Sequence, residues 1–195
     1  KGEIVDGDEL LYIMAKHKLG DTAKNQGVVG TVMSNLGLEL ALDALDVPFT
    51  RTAVGDRYVM KELLKRGWML GGESSGHIIC LDKTTTGDGI VSALQALAAI
   101  VNSGQALADL KSTMHKFPQS MINVKLVNGI DISANEIVQT AVSDVESQLG
   151  KNGRVLLRAS GTEPVVRVMV EGEDLEVVDK LAKELSAVVA SELGA

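Results

Sequence analysis

Hydrophobic positions in the first part of the chain alternate between two spacings. Apolar residues at helical spacing follow Asp6 and Glu9, which are placed as in a capping box at a helix start. Short continuous apolar runs, typical of buried strands, separate further helical segments, and Ser34 is a candidate N-cap. Strands are predicted at residues 27–33, 48–54, 68–70 and 77–81, and helices at 34–45, 56–66 and 90–102. The alternation predicts a layered α/β domain, and its two closely spaced last strands predict an antiparallel edge and hence a mixed sheet.

The pattern of hydrophobic positions changes after residue 104. Helices are predicted at residues 106–115, 133–149 and 174–193, and strands at 122–127, 154–159 and 165–171. After the first of these helices, the order β-α-β-β-α predicts a small α+β domain. We therefore expect two domains, comprising residues 1–114 and 115–195.

Composition narrows the functional classes. Hydrophobic residues make up 45% of the 195, which is enough for packed cores and excludes a disordered chain. The net charge of −7 argues against a nucleic-acid partner, which would need a broad basic face. A single cysteine, Cys80, excludes an intrachain disulfide and is typical of the reducing cytoplasm, where we expect the protein. Because no segment has the ~18 consecutive apolar residues of a transmembrane helix, we expect no membrane association.

The segment Arg-Ala-Ser-Gly-Thr-Glu-Pro joins the last two predicted strands and is a candidate anion site. Arg158 offers a planar fork of donors that matches a phosphate, and Ser160 and Thr162 add hydroxyl groups. Gly161 allows the backbone to turn its N–H groups toward an anion, and Arg167 on the next strand could point to the same side. The alternative is an ordinary hairpin with solvated arginines.

A second candidate is the glycine-rich segment Gly-Gly-Glu-Ser-Ser-Gly-His at residues 71–77. Glu73, Ser75 and His77 supply acceptors and donors that suit neighbouring sugar hydroxyls or an amine, and Glu73 or His77 could also act as a general acid or base. The alternative is a polar turn with His77 at a strand edge.

Two further segments lie at predicted helix starts. Thr-Thr-Thr-Gly-Asp-Gly at residues 84–89 could bind an anion, although capping by Thr86 or Asp88 is the simpler account. Asp56 and Arg57 follow a predicted strand, at the strand end where open α/β sheets bind ligands. For Asp56, the alternative is a simple helix cap.

The sequence does not support a nucleotide-binding motif or a metal site. The chain has neither a Walker A motif nor a dinucleotide-binding fingerprint. Its histidines, His17, His77 and His115, are scattered, and a single cysteine cannot complete a zinc site. Asp6 and Asp8 resemble a metal-binding pair, but acids at a helix start stabilise the free N–H groups in any case. We therefore assign no metal ligand in this chain.

Four segments in order resemble one family. They are Val-Gly-Asp-Arg-Tyr-Val at 54–59, Gly-Glu-Ser-Ser-Gly-His at 72–77, Thr-Thr-Gly-Asp-Gly at 85–89 and Arg-Ala-Ser-Gly-Thr-Glu-Pro at 158–164. Over essentially its whole length the chain resembles the C-terminal half of an α-D-phosphohexomutase. The ordered set with these spacings is specific, although each segment alone is weak.

The resemblance implies that the chain comprises the third and fourth domains of a four-domain enzyme. The third domain would contribute the sugar-recognition loop, matched by Glu73, Ser75 and His77. Asp56 and Arg57 match a segment that also faces the substrate.

The fourth domain, which in the family has a TATA-binding-protein-like fold, would contribute the phosphate loop. Arg158, Ser160, Gly161 and Thr162 match that loop, with Arg167 as a second basic contact.

The implied activity is that of an intramolecular phosphotransferase of the isomerase class. It would interconvert glucosamine 6-phosphate and glucosamine 1-phosphate through a bisphosphorylated sugar, with the phosphates of mannose or glucose as alternative substrates. The family's catalytic phosphoserine and its Mg²⁺ loop lie in the first two domains, so the chain would have no catalytic residue, bind no Mg²⁺ and need the N-terminal domains as partners.

Because the chain begins at Lys1 rather than Met, we expect the first residues of the gene product to be absent. A stand-alone phosphosugar-binding module remains the alternative from another class.

Overall fold

The structure, a computed structural model, describes residues 2–19, 26–126, 132–160 and 163–194. It divides into two units, Lys1–Lys116 and Phe117–Ala195, each with its own sheet and hydrophobic core. The domain boundary predicted from the sequence, between residues 114 and 115, lies two residues before this division.

Unit 1 alternates helices and strands. Its elements are α1 Gly7–Leu19, β1 Val28–Thr31, α2 Leu36–Asp43, β2 Phe49–Thr52, α3 Asp56–Arg66, β3 Leu70–Gly72, β4 Ile78–Cys80, α4 Gly89–Ser103 and α5 Leu107–Lys111. The sheet order is β2-β1-β3-β4, in which β1 is parallel to both β2 and β3, and β4 is antiparallel to β3. The predicted mixed sheet with an antiparallel edge is therefore confirmed.

Alternate side chains of these strands enter two cores. Val28 and Ile78 join the core formed with α1, α2 and α4, whereas Val29 and Ile79 join Val59 of α3 on the other face. Unit 1 is thus a three-layer α/β/α arrangement.

The predicted burial of Cys80 is confirmed. Within the described ranges, no helix combines the length and the apolar character needed to cross a bilayer.

Unit 2 has an antiparallel sheet with both α-helices on one face. Its elements are β5 Gln119–Lys125, α6 Glu136–Leu149, β6 Gly153–Ala159, β7 Val165–Gly172 and α7 Leu175–Leu193, with short 3₁₀ turns at Ile132–Ala134 and Gly150–Asn152. The strand order is β5-β7-β6. Every second residue of β7, from Val166 to Val170, is buried against the helices, so the residues between them face the opposite side.

Most predicted helix starts correspond to observed ones, but several caps differ. The capping box of α1 is confirmed, because Asp6 N–H donates to Glu9 and Glu9 N–H donates to Asp6, at 2.9 and 3.1 Å. Ser34 as the cap of α2 is wrong. Asn35 caps this helix by accepting from Gly37 N–H at 2.9 Å, and the Ser34 hydroxyl instead accepts from Thr31 N–H.

Two helices in the second half of the chain are shorter than predicted. The helix expected at 106–115 ends after Lys111, where the Ser112 hydroxyl donates to the Asp109 carbonyl and competes with helix continuation. The helix expected from residue 133 begins after Asn135, whose side chain accepts from Val138 N–H at 3.0 Å.

Asp8 is a buried carboxylate in the first turn of α1. Its side chain accepts a hydrogen bond from Asn35 N–H at 2.9 Å, whereas the other carboxylate oxygen has no hydrogen-bond partner in the described part of the chain. Loss of hydration on burial is the largest effect and raises the pKa of Asp8 from 3.8 to about 6. The negative charge of Asp6 contributes to this increase, while the Asn35 N–H opposes it.

We predict that Asp8 makes unit 1 less stable as the pH rises. Because its pKa is higher in the folded chain, the stability contributed by protonated Asp8 is present below about pH 4 and is lost as the pH rises through about 6. In Asp8→Asn, which cannot ionise, the free energy of unfolding relative to the unsubstituted chain should increase by about 2 kcal/mol between pH 4 and pH 7.

The buried Trp68, the single tryptophan, lies in unit 1, so its fluorescence during urea unfolding of the 195-residue chain measures this quantity. Asp43→Asn, which removes an exposed carboxylate, is the matched control. A difference between Asp8→Asn and the unsubstituted chain that stays constant from pH 4 to pH 7 would refute the prediction.

Candidate functional site

The ends of two strands bring together the polar segments of unit 1. Because β1 is parallel to both β2 and β3, the carboxyl ends of β2 and β3 lie at the same edge of the sheet. Open α/β sheets bind ligands at this edge. The segment with Asp56 and Arg57 follows β2, and the segment with Glu73 follows β3.

A tight turn connects β3 to the antiparallel strand β4. Gly76 N–H donates to the Glu73 carbonyl at 2.9 Å, and Glu73 N–H donates to the His77 carbonyl at 3.1 Å. Gly76 has φ 93°, a left-handed conformation that side chains disfavour. The turn leaves Ser75 and His77 exposed and Glu73 half-buried.

Hydrogen bonding joins this turn to the end of β2. Glu73 Oε1 accepts from Gly55 N–H at 3.0 Å, and His77 Nε2 lies 3.6 Å from Asp56 Oδ2. The structure thus brings together three of the five predicted sugar-binding residues, namely Glu73, His77 and Asp56. Ser75, another of the five, is exposed on the same turn.

The start of α3 also differs from the predicted cap. Gly55, with φ 128°, is the N-cap residue and Asp56 is the first residue of the helix, where its carboxylate accepts from Arg57 N–H at 2.7 Å. The Arg57 guanidinium stacks on the Tyr58 ring at 4.5 Å and donates to the Tyr58 hydroxyl. Both charged side chains are exposed, so a ligand can reach them.

In the segment before α4, Asp88 is a helix cap and Gly87 contacts a residue of the site. Asp88 caps α4 by accepting from the N–H groups of Ile90 and Val91 at 2.8 and 2.9 Å, which confirms the capping interpretation for Asp88. Gly87 leaves room for the His77 ring, because a Cβ atom at this position would lie 2.1 Å from His77 Nε2. This contact links residues on different segments, so no local pattern in the sequence indicates it.

In unit 2, the two predicted phosphate-binding arginines are direct neighbours. Arg158 on β6 and Arg167 on β7 are cross-strand partners, so their side chains project from the same face of the sheet, opposite the helices. Both are half-buried, and Arg158 Nε is buried without a hydrogen-bond partner in the described ranges. Like charges directly opposite each other repel, so this face is suited to an anion.

The connection between β6 and β7 is described at both ends. Ser160 N–H donates to the Val165 carbonyl at 2.8 Å, and the Ser160 hydroxyl accepts from Glu163 N–H at 3.3 Å. Gly161 and Thr162, the other two predicted phosphate-binding residues, lie outside the described residues.

A buried ion pair on the same sheet face was not predicted. Glu171 of β7 is fully buried, forms an ion pair with Arg154 of β6 and accepts from Gln119 of β5 at 2.8 Å. Its alternation with Arg167 along β7 could have indicated that both lie on one face. Because Glu171 is paired with Arg154, it leaves the positive charge of the neighbouring arginine pair in place.

Magnesium does not fit the residues that the structure describes. Among them there is no group of three or more His, Cys, Asp or Glu side chains arranged to hold a metal ion. Of the acidic pair at the start of α1, Asp6 caps the helix and forms an ion pair with Lys116, and Asp8 accepts from Asn35 N–H.

Two family models match the chain consecutively. A model described as phosphoglucomutase/phosphomannomutase, alpha/beta/alpha domain III, matches residues 6–117. A model of the phosphoglucomutase/phosphomannomutase C-terminal domain matches residues 121–188.

Curated relatives are similar over nearly the full chain. A phosphoglucosamine mutase of Cellvibrio japonicus is 58% identical over 193 residues, which are 99% of this chain and 43% of that protein. A phosphoglucosamine mutase of Nitrosococcus oceani is 56% identical over 194 residues, again 43% of its length. The chain therefore spans less than half the length of these relatives.

Solved structures share the fold. N-acetylphosphoglucosamine mutase of Aspergillus fumigatus, in complex with GlcNAc-6P and magnesium, is matched with a TM-score of 0.82 at 21% identity, over 97% of this chain and 44% of that one. A phosphoglucomutase/phosphomannomutase family protein of Burkholderia thailandensis is matched with a TM-score of 0.72 at 18% identity, over 97% and 42%. Together with the family models, these findings show that the chain belongs to the phosphoglucomutase/phosphomannomutase (α-D-phosphohexomutase) family and comprises its domain III and its C-terminal domain.

Proposed function

We propose that the full-length protein containing this chain is a phosphoglucosamine mutase. It would interconvert glucosamine 6-phosphate and glucosamine 1-phosphate, a step toward amino-sugar nucleotides and cell-wall precursors, and this chain would bind the substrate. The observation that carries the proposal is the pairing of Arg158 with Arg167 on one sheet face. The names of relatives that are 58% and 56% identical support glucosamine phosphate among the possible sugar phosphates.

Unit 2 would hold the phosphate group that is not reacting. Two guanidinium groups on neighbouring strands offer forked donors to a single tetrahedral anion, which relieves their mutual repulsion. The buried Arg158 Nε, which lacks a partner within the described ranges, would gain one from a phosphate oxygen. Ser160, Gly161 and Thr162 would add hydroxyl and backbone donors from the connecting loop.

Unit 1 would recognise the sugar. The Glu73 carboxylate suits the protonated amino group of glucosamine or a pair of ring hydroxyls, and the exposed Ser75 hydroxyl can donate or accept beside it. His77, Asp56 and Arg57 would complete the polar surface at this end of the sheet. The Glu73–Gly55 hydrogen bond supports this role, because it restrains the carboxylate before a ligand arrives.

The phosphoryl transfer itself would use groups outside this chain. A phosphoserine would pass its phosphoryl group to the free hydroxyl of glucosamine 6-phosphate: the serine O–P bond breaks, an O–P bond to the sugar forms, the hydroxyl proton is released, and the freed serine oxygen takes up a proton. The product is a bisphosphorylated sugar. After the sugar turns around, its 6-phosphoryl group would return to the serine and leave glucosamine 1-phosphate. The residues of this chain would therefore bind and orient the substrate in both directions, and neither form nor break the bond.

The chain would function only together with the preceding domains of the same protein. These domains would supply the serine and the Mg²⁺ site. The buried, unpaired Cys80 is compatible with a reducing compartment and supports a cytoplasmic enzyme.

Substrate preference tests the proposed activity. We expect the full-length, serine-phosphorylated protein to convert glucosamine 6-phosphate with a higher kcat/KM than mannose 6-phosphate or glucose 6-phosphate, and the 195-residue chain alone to convert none of them. The three substrates are compared in one coupled assay. A clear preference for mannose or glucose phosphate would contradict the glucosamine assignment, and turnover by the isolated chain would contradict its assigned binding role.

Replacing Arg158 tests the phosphate site. In the full-length protein, Arg158→Ala should lower kcat/KM by about 10- to 100-fold, since it removes charge-assisted hydrogen bonds to phosphate. Serine phosphorylation, measured by intact mass, should be unchanged. Lys180→Ala removes an equally charged side chain from the helical layer and should keep normal kinetics. If the two variants have the same kinetics, Arg158 does not bind phosphate.

Replacing Glu73 tests the sugar site. In Glu73→Gln an amide oxygen can still accept from Gly55 N–H, but the negative charge is gone. We expect kcat/KM to fall about tenfold more for glucosamine 6-phosphate than for glucose 6-phosphate, because only the former carries an ammonium group. Glu184→Gln, at an exposed position of α7, is the control. Equal losses with both sugars would show that the carboxylate does not recognise the amine.

A further inference from the structure

Gly7, the first residue of α1, lies directly beneath the turn that carries Glu73. Its N–H donates to the Ser74 carbonyl at 3.0 Å. A Cβ atom at this position would lie 2.1 Å from the Glu73 carbonyl oxygen, 2.5 Å from Gly76 N and 2.8 Å from the Ser74 carbonyl oxygen. All three atoms belong to the backbone of one turn, so a side chain at residue 7 cannot be accommodated by a change of rotamer.

Space, rather than backbone conformation, requires glycine here. Gly7 lies within α1 and is not among the residues with positive φ, so alanine could adopt its backbone angles. Alanine would also favour the helix over glycine. The lack of a side chain at this position therefore serves the contact with the turn.

The helix is the more firmly held of the two partners. The capping box fixes the start of α1, and the side chains of Leu11, Ile13 and Met14 are almost fully buried in the core of unit 1. The turn, by contrast, is partly exposed, and the pairing of β3 with β4 holds it at its two ends. A clash between them would therefore displace the turn, and with it the Glu73 carboxylate that accepts from Gly55 N–H.

We propose that Gly7 is a positioning residue for substrate recognition. Because it has no side chain, the turn Glu73–Gly76 can occupy the position in which Glu73 and Ser75 contact the sugar. This role rests on the proposed function of that turn. The start of α1 would thus contribute to sugar selectivity, although the side chain of Gly7 is a hydrogen atom and touches no substrate.

The test compares two glycines at equivalent helix positions. Gly89 is the first residue of α4, as Gly7 is of α1, but an added Cβ atom at Gly89 would meet no atom within 4 Å. In the full-length protein, Gly7→Ala should raise KM for glucosamine 6-phosphate about tenfold and reduce the preference over glucose 6-phosphate, with serine phosphorylation unchanged. Gly89→Ala should stay within twofold of the unsubstituted enzyme. Equal kinetics of the two variants would overturn the proposal.

A double substitution separates positioning from general destabilisation. If Gly7 acts through Glu73, then Gly7→Ala should have little further effect on selectivity in a Glu73→Gln background, because interacting residues are not additive. A further loss of the preference for glucosamine 6-phosphate in that background, as large as in the otherwise unsubstituted enzyme, would show that Gly7 acts by another route and would overturn the proposal.

Hydrogen exchange provides a second measurement that holds even if Gly7→Ala does not fold. In the unsubstituted full-length protein, saturating glucosamine 6-phosphate should slow exchange in peptides covering residues 70–78 and 6–10 together. Peptides covering 88–92 serve as the reference. Slower exchange at 70–78 without any change at 6–10 would overturn the proposal. If the enzyme prefers another sugar phosphate, the proposed function fails on substrate preference, and the same comparisons are made with the preferred substrate.

Discussion

The parallel pairing of β1 with both β2 and β3 determines where unit 1 presents its polar groups. Parallel strands end at the same edge, so the chain after β2 and the chain after β3 emerge side by side. The hydrogen bond from Gly55 to Glu73 can form only because of this arrangement. The antiparallel return through β4 then anchors the turn at both ends, which a long crossover connection would not do.

In unit 2, the alternation of side chains along the strands places charged residues on the sheet face opposite the helices. In β7, valines face the helices while Arg167 and Glu171 face the other side. Glu171 is buried with Arg154, and a buried charge without such a partner would be costly. The remaining pair, Arg158 and Arg167, concentrates positive charge locally in a chain whose net charge is −7. Overall charge therefore says little about the ligand of an individual sheet face.

Local signals in the sequence predicted the parts of the fold that depend on neighbouring residues. The capping box of Asp6 and Glu9, the cap at Asp88 and the order of helices and strands along the chain follow from short-range patterns and hydrophobic spacing. The error at Ser34 has a physical cause, because serine and asparagine are both good caps and the Ser34 hydroxyl here accepts from Thr31 N–H instead. The short helix α5 shows the same limit, because a single hydroxyl at Ser112 competes with the backbone.

Contacts that depend on space could not be predicted in this way. In the sequence, Gly7 belongs to a helix start and Gly87 to a turn, and both have ordinary local explanations. Their neighbours in space, the turn after Glu73 and the ring of His77, lie on other segments, and only the fold brings them within reach. The two units therefore differ in what fixes the positions of their candidate binding residues. The arginine pair depends on strand register, which is shared along seven paired residues. The position of the turn that carries Glu73 depends on close approaches at individual glycines, where one methyl group would move several polar atoms at once.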